Sequence, residues 1–242
     1  MIGNSIITLD SVDSTNNYIA KAIEAGTYDW GTAILADFQT HGRGQREAIW
    51  QSASGQNLTF SFGLELESFD PRSFFTLSRA VSLALYQYLF DTLGDGVKIK
   101  WPNDMLFNRK KIAGILIENR VAKIPFAICG IGLNVNQTNF EAMTRATSLN
   151  LETGRAFSVE EVLEDFLSYL NQEWEILNHG DFRTQKDRYE ERLFGINQEL
   201  NFEVGDTSQM GKITGTTSDG QLLVEVKGQE RKFQPKEIKL DY

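Results

Sequence analysis

The densest chemistry in the sequence is the run Gln39-Thr40-His41-Gly42-Arg43-Gly44-Gln45-Arg46, which leads on to Trp50. Glycines let backbone N–H groups approach an anion closely, and an arginine between them supplies a two-pronged donor for phosphate or carboxylate. Glu47 stands where a dinucleotide fingerprint needs its third glycine, and the Gly-Lys-Ser/Thr ending of a P-loop is missing. The competing reading is a mobile, solvated loop that binds nothing. On either reading Arg43 has no evident local partner until an anion arrives.

A second run is Lys100-Trp101-Pro102-Asn103-Asp104. Pro102 interrupts a strand ladder, so the chain must jog there, which aims Asn103 and Asp104 into a cavity or makes a plain edge-strand bulge and turn. In the third, Arg109 to Glu118, Lys111 stands at the mouth of a small-residue strand beside Ala113 and Gly114. A lysine there is a compact cation for a developing negative charge. Lys110 points to the opposite side of the strand, and Arg109-Lys110 reads as a hairpin tip, a solvated basic turn. The fourth, Gly130-Ile131-Gly132-Leu133-Asn134-Val135-Asn136, closes a core strand with two glycines and two asparagines, which also suits tight β-packing.

These runs need elements to hold them. The pattern predicts strands at 5–9, 32–37, 57–66, 97–101, 105–107, 112–119 and 126–134. A helix over 16–25 follows the cap-forming run Asp13-Ser14-Thr15-Asn16 and stops at Gly26. A long helix over 71–93 starts at Pro71 and repeats Phe74, Leu77, Val81, Leu85 and Tyr88 on one face. Further helices are expected over 159–177, behind the capping-box spacing Ser158-x-x-Glu161, and over 182–193. After about residue 197 the segments 212–216, 222–227 and 231–234 alternate between short turns, as in a small antiparallel barrel. So short a tail is too small to be very stable alone and should pack against the rest.

The 242 residues allow one large domain and a small one, at roughly 100–200 residues per domain. With 24 Lys and Arg against 33 Asp and Glu, the net charge is −9, which gives no general attraction for a nucleic-acid backbone. One cysteine, Cys129, rules out an intrachain disulfide, and with only His41 and His179 beside it a structural zinc site lacks ligands. No signal peptide or membrane-length apolar stretch is read, so a cytoplasmic protein is expected.

Together, the segments resemble the catalytic domain of biotin protein ligases over nearly the whole chain. Ser14-Thr15-Asn16, Gly42-Arg43-Gly44, Trp101-Pro102-Asn103-Asp104, Lys111-Ile112-Ala113-Gly114-Ile115-Leu116, Gly132-Leu133-Asn134-Val135-Asn136 and Ala146-Thr147-Ser148-Leu149 match that family's motifs in order. The resemblance implies an α+β fold, a mixed β-sheet with flanking helices of the class II aminoacyl-tRNA synthetase/biotin ligase type. It also implies a small C-terminal SH3-like β-barrel, with the catalytic domain over 1–197 and the barrel over 198–242.

The implied reaction joins ATP and biotin into biotinyl-AMP and then passes biotin to a lysine of a biotin carboxyl carrier protein. Ser14, Thr15 and Gln39 would surround the neutral ureido ring, where unpaired buried charge would be costly, with Asn16 beside them. Arg43 and the amides of Gly42 and Gly44 would hold the biotin carboxylate and α-phosphate, and Lys111 would bridge the same groups. Gly114, Leu116, Gly132 and Leu133 are implied as walls for biotin, and Trp50, Asn134 and Asn136 as neighbours of the adenosine. Asn103 and Gln45 complete the ligand-binding set, and Asp104 would orient Lys111 or the carrier lysine. Mg²⁺ would ride on the ATP phosphates rather than in a protein cage.

Gln45 and Glu47 depart from the family pattern, which often has arginine and glycine there. The Ser-Thr-Asn segment begins at residue 14, leaving no room for the N-terminal helix-turn-helix of some members, so no nucleic-acid partner is expected. No membrane partner is expected either, and the chain should be a monomer or weak homodimer. The rivals are a lipoate–protein ligase, whose Arg-Arg-x-Ser-Gly-Gly-Gly stretch is absent, and a non-catalytic biotin-binding protein of the same fold.

Overall fold

The computed structural model describes residues 1–45, 48–66, 71–120, 124–140 and 145–241, with only the backbone for 71–74. Phe74, Arg46 and Glu47 therefore lie outside what is described of side chains. The first sheet has seven strands: β1 (Ile6–Val12), β2 (Ala33–Gln39), β3 (Asn57–Glu65), β4 (Val97–Lys100), β5 (Asp104–Phe107), β6 (Lys110–Arg120) and β7 (Phe126–Asn134). Their order is β1-β2-β3-β7-β6-β5-β4. Only β1 and β2 run parallel; the other neighbours are antiparallel, so the sheet is mixed as expected.

Helix α2 (Pro71–Leu93) and helix α4 (Val159–Asn178) cover one face of this sheet. On α4, Val162, Leu163, Phe166, Leu167 and Leu170 are buried, the spacing of a single helical stripe. Its start is set by Ser158, whose hydroxyl accepts the amide of Glu161. Strand β3 shows how the sheet divides its residues. Leu58, Phe60, Phe62 and Leu64 join the core under the helices, and Phe60 meets Phe166 edge-on. Asn57, Thr59, Ser61 and Gly63 point the other way.

Over the second face lies α1 (Thr15–Glu24), whose Ile19 and Ala20 pack on Ile34, Phe126 and Ile128. Gly63 lets α1 pack close there: a Cβ would lie 2.1 Å from Ile23 Cδ1 and would push that side chain aside. The cap run behaves differently from the expectation. Ser14 occupies the N-cap with extended backbone, but its side chain makes no capping bond; only its carbonyl serves the helix, accepting the amide of Tyr18. The Ser14 hydroxyl is thus not spent on the helix.

One short helix lies outside the expected set, and the next falls within the expected 182–193. Helix α3 (Leu149–Thr153) is a short turn capped by Ser148 and closed by left-handed Gly154, and α5 is Phe182–Glu191. After α5 the chain runs along the edge of β4, where Ile99 exchanges backbone hydrogen bonds with Arg192 and Phe194. That cover protects an otherwise open sheet edge. The chain then enters a five-stranded antiparallel sheet of β8 (Glu199–Val204), β9 (Thr207–Thr216), β10 (Leu222–Val226), β11 (Gln229–Phe233) and β12 (Lys239–Leu240). Its Phe202, Ile213, Leu222, Val224 and Phe233 belong to the same continuous core as the first sheet. Polar ties reinforce the junction: Trp101 Nε1 donates to the Gly220 carbonyl at 2.9 Å, and buried Arg79 donates to Thr216 and Thr217.

Candidate active site

The uncovered end of the second face holds a cavity of about 940 Å³. Its floor is made of glycines. A Cβ on Gly132 would lie 2.3 Å from the indole of Trp50, and one on Gly130 would lie 2.1 Å from Asn16 Oδ1. Trp50 therefore lies on the floor, also within van der Waals reach of a Cβ placed on Gly114. Its Nε1 is buried with no hydrogen-bond partner among the described residues. The Lys111 ammonium sits 5.7 Å from the centre of the same ring.

At one end the N-terminus of α1 presents neutral polar groups. Ser14, Thr15 and Asn16 are buried and line the cavity with Gln39. Gln39 Oε1 accepts from the Thr15 amide at 2.8 Å and from its hydroxyl at 3.1 Å. Ser61, fully buried on β3, donates toward Thr15 Oγ1 and Asn16 Oδ1, both at 2.6 Å. One hydroxyl proton serves one acceptor at a time, so the cluster has slack for a ligand's donors and acceptors.

Lys111 reaches the cavity through a break in register. Strand β6 pairs Met105 with Ala113 but Leu106 with Lys111, so Ile112 is an extra residue. Ile112 and Ala113 are consecutively buried, and this bulge puts Lys111 on the cavity side with Gly114 and Leu116. The Lys111 ammonium binds Asp104 Oδ1 at 2.6 Å, and Lys100 stands 3.7 Å from the other oxygen. Lys110 faces away, toward Glu152 at 3.5 Å. The backbone around Lys111 is clamped: its amide donates to Arg145 and its carbonyl accepts from Thr147. Asn103 lines the wall and donates its side-chain amide to the Ile115 carbonyl.

Arg43 also lines the cavity, but it is not waiting for a partner. Nη2 binds Glu118 Oε1 at 2.8 Å, while Nη1 binds Glu118 Oε2 at 3.2 Å and Asn17 Oδ1 at 2.8 Å. The expectation of an unpartnered Arg43 is corrected by this ion pair across to β6. The loop also closes on itself, since the Gly44 amide donates to Ala48 and the Trp50 amide to Gly42. A Cβ on Gly42 would strike the Trp50 carbonyl at 2.3 Å. Gly44 and Gln45 line the cavity; Gly42 does not.

Three more sequence-selected residues lie off the cavity wall. Leu133 is fully buried in the helix-side core. Asn134 donates to the Thr147 carbonyl at 2.9 Å, bracing the segment that clamps Lys111. Asn136 exchanges hydrogen bonds with the backbone of Phe157. Conversely, the structure adds residues the motifs did not mark. Ser61, Asn17 and Glu118 complete the polar network. Phe202, Glu203, Ser208 and the stretch from Pro235 to Asp241 form a far wall from the second sheet, tied back by Asp241 to Arg145 at 3.6 Å. Ser61 and Glu118 sit at the strand-alternation positions of the cavity face, the one sequence signal that marks them.

Cys129 is fully buried, and burial pushes its thiol far up, which leaves it no nucleophilic role. Among the described residues no group of three carboxylate, imidazole or thiol side chains gathers to hold a metal. Among them, too, no helix is long and apolar enough to cross a membrane. The cavity brings together the neutral polar groups of Ser14, Thr15, Asn16 and Gln39 and several cations, Arg43 and Lys111 among them, over a glycine floor on which Trp50 and Asn16 rest.

Residues 8–136 match the model of the Biotin/lipoate A/B protein ligase family. The chain is similar to the biotin protein ligase of Aquifex aeolicus, solved in complex with biotin and ATP. The two are 29% identical with a TM-score of 0.81, over 98% of this chain and 99% of that one. It is 30% identical to the bifunctional ligase/repressor BirA of Bacillus subtilis over 99% of this chain and 75% of that protein. It is also 29% identical to a biotin–[acetyl-CoA-carboxylase] ligase of Paracoccus denitrificans, covering 89% of this chain and 92% of the relative.

Proposed function

The chain belongs to the biotin/lipoate A/B protein ligase family, and on that premise we propose that it is a biotin–[biotin carboxyl-carrier protein] ligase. Biotin's carboxylate oxygen attacks the α-phosphorus of ATP, the bond to the β-phosphate bridge breaks, and biotinyl-5′-AMP and pyrophosphate form. The amine of a carrier lysine then attacks the acyl carbon, and AMP leaves. The observation that carries this reading is one cavity lined both by neutral polar groups and by cations. Thr15, Asn16 and Gln39 suit a neutral ureido ring, while Arg43 and Lys111 suit the carboxylate and phosphate.

In this reading Lys111 neutralises charge that grows at the α-phosphate, and the Asp104 carboxylate fixes where its ammonium stands. No enzyme-bound acyl group is required, so rate comes from positioning and electrostatics. Mg²⁺ is assigned to the nucleotide's phosphates. The net charge of −9 supports a small-molecule and protein partner over nucleic acid.

The test is incorporation of labelled biotin into a carrier domain with ATP present, followed beside pyrophosphate exchange. Biotin should drive both. Exchange driven by lipoate and not biotin would move the chain to the other branch of the family, and tight biotin binding without exchange would make it a non-catalytic binder.

A further inference from the structure

Arg43 is held by Asn17 and Glu118, neither of which lies in the motifs shared with the ligase family. Glu118 receives it end-on, one carboxylate oxygen to each terminal nitrogen at 2.8 and 3.2 Å. Asn17 takes a further Nη1 proton at 2.8 Å. A guanidinium has five N–H groups in a rigid plane. Three are used here, and the leftover pair, Nε–H and the outer Nη2–H, have no partner among the described residues. Those two lie along one edge of the planar group and form the second two-pronged donor of an arginine.

The holding residues are themselves held. Asn16 Nδ2 donates to Glu118 Oε2 at 2.8 Å, and buried Asn16 accepts from Ser61. Asn17 is fixed by donating to Asp13 at 3.1 Å. Glu118 shares its strand face with Gly114 and Leu116 but does not line the cavity. We propose that Glu118, helped by Asn17, is a positioning residue: it fixes the Arg43 guanidinium by one edge so that the other edge is presented to a ligand carboxylate or phosphate. This rests on the reading of the cavity as an anion-activating site. Preorganisation of this kind lowers the ordering cost that a flexible arginine would carry into binding.

The test compares adenylate formation from biotin and ATP in wild type, Glu118→Gln, Arg43→Ala and the double variant. Glu118→Gln should lower kcat/KM about tenfold, the effect of losing a hydrogen bond to a charged group, while in the Arg43→Ala background it should change little. A loss under twofold in the wild-type background overturns the proposal, and so does an equal loss in both backgrounds, since a structural role does not require Arg43. Amide exchange in the ligand-free protein gives a readout independent of turnover. Glu118→Gln should speed exchange at Gly44 and Trp50, whose bonds close the loop, and unchanged exchange there counts against it. A wild type that forms no adenylate refutes the proposed function instead, and exchange alone then decides whether Glu118 holds the loop.

Discussion

The two faces of the seven-stranded sheet are built by alternate residues of the same strands, yet they are made for different work. On β3, Phe60 and Phe62 go under the helices, while Thr59 and Ser61 go toward α1 and the cavity. On β7, Cys129, Ile131 and Leu133 are core, and Gly130 and Gly132 are floor. The helix-covered face uses volume: large apolar side chains fill it. The open face uses absence of volume, glycines that admit Trp50 and Asn16, plus polar groups tied to one another rather than to the core. Substitutions one residue apart should therefore split cleanly between stability and chemistry.

The largest expected effect is on the filled face. Phe60→Ala should cost about 3–5 kcal/mol of unfolding free energy, the usual range for a fully buried aromatic, read by denaturant titration. A loss under 1 kcal/mol, well outside that range, would mean the helix face is less well packed than the geometry indicates. Next is Gly132→Ala on the open face, where the new methyl would sit 2.3 Å from the Trp50 indole. Displacing that ring should slow adenylation by about tenfold to a hundredfold, as small misplacements in a site do, with the melting temperature nearly kept. Unfolding without a specific rate effect would erase the distinction between the faces. The smallest is Lys110→Ala, which removes only a half-exposed pair with Glu152 and should leave rate and stability within about twofold and 0.5 kcal/mol.

Much of this is legible in the sequence. Strand β7 and helix α2 fall where a short apolar run, Pro71 and apolar spacing place them, and the open face collects most of the motif residues. What escaped has a common physical character: it depends on partners distant in sequence. Glu118 meets Arg43 75 positions away, and no local pattern encodes that pairing. Asn134 and Asn136 carry the right chemistry for a ligand, but their amides are used on Thr147 and Phe157. The wall from Pro235 to Asp241 includes only a two-residue strand, too short for alternation to register. The bulge at Ile112 was visible only as two consecutive apolar residues, a weak signal until register is known.

Lys111 is the cation that the bulge turns onto the cavity face, and the proposed adenylation depends on it. Single-turnover adenylation by Lys111→Ala, with Lys110→Ala as its neighbour control, tests this most directly. Lys111→Ala should fold normally and lose about 10²–10³-fold in rate, the loss typical of removing one preorganised donor to a developing charge. Biotin binding without ATP should weaken far less, because Thr15, Asn16 and Gln39 remain. Adenylation by Lys111→Ala within a few-fold of wild type, or a larger loss for Lys110→Ala, would contradict the assignment.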